Sequence, residues 1–147
     1  MRRLVWVVLP LLALALLAQT GRMRDRLLAS RMLRQVELLS MAALSRGEMP
    51  RGLVPSNLEM LRRASALDRI EVGIPVARGT QYLLLGNGDQ AATAYRDALA
   101  LEPRPEIHLN LGRALLMAGD PEAARREFQL ALRLDPHLAP MIPAELR

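Results

Sequence analysis

A chain of 147 residues has room for one ordinary domain. It is 51% apolar with four aromatic residues in all, an apolar mass of Leu, Ala, Met and Val that favours helix over sheet. The absence of cysteine excludes disulfides, thiolate metal sites and a cysteine nucleophile. The net charge of +5 is unevenly placed: residues 1–52 hold nine Arg against Asp25, Glu37 and Glu48, whereas residues 53–147 hold eleven Arg against twelve acids. A nucleic-acid binder carries its basic excess on the folded domain, so that class is excluded as a partner, and the flanked N-terminus points to a membrane surface instead.

Residues 1–21 open with Arg2 and Arg3 and continue in an uncharged apolar run from Leu4 to Ala18. Fifteen helical residues span about 22 Å against a bilayer core of about 30 Å, and Gln19, Thr20 and snorkelling arginines extend the reach. Trp6 suits an interface, and Pro10 is tolerated in a membrane helix. Ala13-Leu14-Ala15 offers a signal-peptide cleavage motif, but Arg22, Arg24 and Arg26 follow at once, which favours an uncleaved transmembrane or signal-anchor helix. The expected location is a bacterial inner membrane, crossed once. The arginine count after the run argues for a cytoplasmic C-terminal part; the export-like opening argues for a periplasmic one and is preferred.

Residues 22–52 read as an amphipathic helix and a Pro/Gly linker. Leu28, Met32, Val36, Leu39 and Ala43 make one apolar stripe, and Leu27, Leu38 and Met41 a second. Arg22, Arg24, Arg26, Arg31 and Arg34 are the candidate membrane-surface basic residues, with lipid as their partner. Gly47, Pro50, Gly52 and Pro55 break the helix, and Ser56 with Glu59 forms a capping box for the next one.

Residues 53–136 repeat. Leu61, Tyr95 and Phe128 are separated by 34 and 33 residues, as are Ala64, Ala98 and Ala131, and Asp68, Glu102 and Asp135. Leu111-Gly112, Ala124-x-x-x-Phe128, Ala131 and Pro136, with Gly79, Tyr82, Ala91, Tyr95, Ala98 and Pro103 one period earlier, resemble the tetratricopeptide repeat (TPR). His108 and Leu115 depart from the residues the family prefers, as do Pro75 and Arg78. The earliest unit keeps only its second half, with the 22–46 helix in place of its first.

The resemblance implies an all-α, TPR-like solenoid of about two and a half helix pairs, preceded by the anchor helix and followed by an irregular tail at 137–147. Small residues let paired helices approach, and the aromatic is expected to fill the gap between neighbouring hairpins. The end of the array lacks a full capping helix because Pro140 and Pro143 interrupt it. A partner is expected to cover the exposed edge, in preference to a flap of Leu138, Met141 and Ile142.

Gly86-x-Gly88-x-x-Ala91 imitates a dinucleotide-binding turn, but the flanking segments read as helix. His108 and His137 are the only histidines, no metal-ligand spacing is present, and no serine pairs with a base in sequence, so neither a cofactor nor an enzyme is expected. By the resemblance, the first helix of each pair lines a groove: Val76, Thr80, Leu83 and Leu84, then Glu106, Leu109, Asn110, Arg113, Leu116 and Met117. This is an apolar groove for an amphipathic or extended apolar segment of a protein partner. The expected function is therefore a non-enzymatic, membrane-anchored protein-binding module. The alternative is a small permanent structural or assembly subunit of a membrane protein complex.

Overall fold

The structure is a computed structural model. It describes the backbone of residues 2–47 and 49–147 and the side chains of residues 15–47 and 49–147. Six α-helices follow one another, α1 (Arg2–Arg46), α2 (Leu53–Leu67), α3 (Gly73–Leu84), α4 (Gly88–Leu101), α5 (Pro105–Met117) and α6 (Pro121–Leu134), then two 3₁₀ turns at Pro136–Met141 and Ala144–Leu146. They pair as α1/α2, α3/α4 and α5/α6, each pair packed on the next. The solenoid thus has three helix pairs, because α1 serves as the first helix of the first.

The repeated residues explain the hairpins. Gly86 and Gly119 adopt left-handed backbone, with φ of 71° and 85°, to turn the chain between paired helices. Asn87 and Asp120 then accept from the Gln90 and Ala123 amides at 3.1 and 2.9 Å and start α4 and α6. The recurrent acids Asp68, Glu102 and Asp135 end the second helices in extended backbone, their amides donating to the Ala64, Ala98 and Ala131 carbonyls. Those three alanines are fully buried.

The aromatic of each unit packs against the glycine of its partner helix. A Cβ on Gly79 would fall 2.7 Å from the Tyr95 ring, and one on Gly112 would fall 2.5 Å from the Phe128 ring. Each ring therefore lies on the glycine of its own hairpin. Both rings are fully buried. A ring's area is best buried where the opposing helix has no side chain to hold it off.

α1 is a single helix of 45 residues, about 68 Å long at 1.5 Å per residue. It ends at Gly47, whose left-handed φ of 67° fits a helix C-terminus. Its buried stripe is Ala29, Leu33, Val36, Ser40 and Ala43. That is the expected stripe turned by one residue at several positions, which leaves Leu39 exposed. No helix among the described residues is long and apolar enough to cross a membrane. The side chains of the Leu4–Leu14 part of the apolar run, Trp6 and Pro10 included, lie outside the described residues.

Two further expectations differ from what is seen. Ser56 caps nothing: α2 begins at Leu53, one turn earlier, and the Glu59 carboxylate instead accepts from Arg62 and Arg63 at 2.8 to 2.9 Å. At the other end, the chain covers its own edge. Leu138, Ile142 and Leu146 are buried with the α5/α6 core, and Met141 stays exposed. Arg125 donates to the Glu145 carbonyl at 3.0 Å and Arg147 to the Ile142 carbonyl at 3.1 Å. Pro140 and Pro143 exclude an α-helix but not a 3₁₀ turn with an apolar side.

Candidate functional site

α3 and α5 touch along the array, and α3 also meets α1. Val76, Thr80 and Leu83 share one side of α3, with Leu84 beside them; Glu106, Leu109, Arg113 and Leu116 share one side of α5, with Asn110 and Met117 at its borders. The fold gives these ten residues unequal roles. Leu109 is 3% exposed and belongs to the core, so it offers nothing to a guest. Val76, Leu83 and Leu116 are half-buried against that core. Leu84 is half-buried, Met117 is 48% exposed, and Glu106 and Arg113 are exposed.

Polar groups interrupt the apolar strip at one place. The Thr80 hydroxyl donates to the Val76 carbonyl at 3.2 Å and lies 3.2 Å from the Tyr95 hydroxyl, which reaches it from α4. Burial raises the Tyr95 phenol above its ordinary value, opposed by the Thr80 contact and the Arg113 charge, so the hydroxyl stays a neutral donor. Arg113 donates to Asn110 Oδ1 at 3.2 Å and, at 3.4 Å, to the Met141 carbonyl in the tail.

The five candidate membrane-surface arginines of α1 lie on another part of the molecule. Arg22, Arg24, Arg26, Arg31 and Arg34 are all exposed. Arg26 approaches Asp68 at 3.8 Å, tying α1 to the loop after α2. The remaining polar candidates are structural. His108 Nδ1 meets Glu127 at 2.7 Å between α5 and α6. Arg78 pairs with Asp97 across the α3/α4 hairpin. Among the described residues no three His, Asp or Glu side chains converge as a metal site. The Gly86–Ala91 turn follows a helix, and Gly88 abuts α5, where an added Cβ would lie 2.4 Å from the Ala118 nitrogen.

One polar cluster has no counterpart in the sequence reading. Asn57 Nδ2 donates to Ser40 Oγ at 3.2 Å and to Gln81 Oε1 at 3.1 Å, and Gln81 Nε2 donates to Ser40 Oγ at 3.0 Å. All three residues are buried, and they join α1, α2 and α3. Asn57 stands 34 residues before Ala91, in a place where the later units carry alanine. An amide in a small apolar repeat position was the available signal.

The family model described as tetratricopeptide repeat matches residues 76–139. Among solved structures, a thermophilic TPR protein of Thermus thermophilus is 30% identical, with a TM-score of 0.62 over 78% of this chain and 64% of that one. MamA protein shares the fold at 22% identity, with a TM-score of 0.57 over 76% of this chain and 59% of its own. The chain thus spans less than two thirds of either structure. No curated protein matches it.

Proposed function

We propose that this chain is a non-enzymatic protein-binding module, held at a membrane by its N-terminal helix, whose TPR units take an apolar or amphipathic segment of a partner along α3 and α5. The observation that carries this reading is the strip of Val76, Leu83, Leu84, Leu116 and Met117, partly exposed on helices whose neighbours are otherwise well buried. Partly exposed apolar side chains with a few polar groups among them suit a helix or strand that brings its own apolar face. Thr80, Asn110 and Arg113 would fix its register. The membrane part rests on the uncharged Leu4–Ala18 run and the arginines that follow it.

The test is co-purification of tagged protein after mild detergent extraction from native membranes, comparing wild type with Leu83→Arg/Leu116→Arg. A partner recovered with wild type and with the control Arg62→Ala, but lost with the double variant at unchanged melting temperature, supports the groove. Equal recovery with the double variant overturns it. Retention of wild type in membranes through a carbonate wash tests the anchor separately.

A further inference from the structure

α1 leaves the solenoid well before it ends. Residues 15–24 are exposed on every side, and the first buried position is Ala29. On the side of α1 opposite the Ala29–Ala43 stripe, Thr20, Met23, Arg24, Leu27, Leu28 and Arg31 line a shallow groove of about 400 Å³. Its floor is apolar: Met23 is 67% exposed and Leu27 59%. Arg31 closes its C-terminal end and Arg24 stands near its middle, seven residues and therefore roughly 10 Å apart along the helix. Neither pairs with an acid among the described residues. An apolar floor beside two guanidiniums with no partner acid among the described residues is complementary to a molecule with an anionic head and a hydrocarbon body.

Resting on the membrane-anchored reading, we propose that this groove binds an anionic phospholipid, its phosphodiester held between Arg24 and Arg31 and the start of an acyl chain lying on Met23 and Leu27. A second copy of the chain is disfavoured as occupant, because a parallel pair along this face would bring Arg24, Arg31 and Arg34 against their equivalents. An acidic peptide would leave the apolar floor uncovered.

The experiment uses the full-length protein in detergent, titrated with short-chain phosphatidylglycerol, phosphatidylcholine of the same chain length, inorganic phosphate and polyglutamate. Retained adducts are read by native mass spectrometry and by thermal shift. Phosphatidylglycerol binds best, and Arg24→Gln/Arg31→Gln weakens it about thirtyfold, the worth of two arginines at an anionic surface. Met23→Ser/Leu27→Ser weakens it as well while keeping both charges, and circular dichroism verifies that each variant keeps its helix. Equal affinity for the two lipids, no loss in the arginine variant, or equal binding of phosphate or polyglutamate overturns the proposal. Release of wild-type protein by carbonate would instead overturn the anchor, and the titration would still decide the groove.

Discussion

The α1/α2 hairpin and the α5/α6 hairpin have the same outline and are held by different chemistry. In α5/α6 a ring rests on a glycine, Phe128 on Gly112, and Ala124 and Ala131 bring the helices together. In α1/α2 the ring position holds Leu61 and the alanine position holds Asn57, which is hydrogen-bonded to Ser40 and, beyond the hairpin, to Gln81 of α3. Apolar close packing tolerates no change of size, whereas a hydrogen-bonded cluster tolerates no change of partner. The first hairpin therefore gains a fixed seat for α1 at the cost of one buried oxygen, Asn57 Oδ1, without a partner.

The largest effect that can test this contrast is at the ring. Phe128→Ala should cost about 3–5 kcal/mol by leaving a cavity over Gly112, read as a loss in denaturant midpoint. A loss below that of Leu61→Ala would break the claim that the last hairpin depends on its ring. Next comes the backbone contact between pairs. Gly88→Ala should cost about 2–3 kcal/mol, since the Cβ meets backbone of Ala114 and Ala118 that no rotamer change relieves. Asn57→Ala restores the alanine of the later units and should still cost about 1–2 kcal/mol, because Ser40 Oγ and Gln81 Oε1 each lose a donor within the core. If it stabilises the protein, the cluster serves only to select the seat of α1.

The smallest effect concerns Glu59, on the exposed side of α2. Hydrogen bonds from Arg62 and Arg63 push its carboxyl down to about 2. A carboxyl lowered on folding stabilises above its unfolded pKa, about 4.3, and that contribution is lost as pH falls toward 2. Solvent screening at this partly exposed position keeps it small. An NMR titration should find Arg62→Ala returning Glu59 toward its ordinary value, with little change in melting temperature.

The repeat was legible because it is written in residue types that have no substitutes. Glycine under a ring, alanine between close helices and the acid that ends each second helix recur at a fixed period, and the structure uses each of them. Other features were illegible for physical reasons. The seat of α1 depends on Ser40 and Gln81, each unremarkable alone and meaningful only beside Asn57. Ser56 and Glu59 have capping-box spacing, but α2 starts a turn earlier and leaves both inside the helix. In the candidate groove, spacing put Leu109 on the lining face; the closing tail, with Ile142 and Leu146 in the same core, accompanies its burial.

α1 has no joint between the segment that stands free and the segment gripped by the repeats. Gly21 does not interrupt it, and from Ala29 to Ala43 it is clamped. Such a helix acts as a shaft, and the three hairpins are its load. Inserting one residue between Gly21 and Leu28 would lift the array by about 1.5 Å and swing it through about 100°. The compass bearing of the α3/α5 strip is thereby geared to the length of α1, residue by residue.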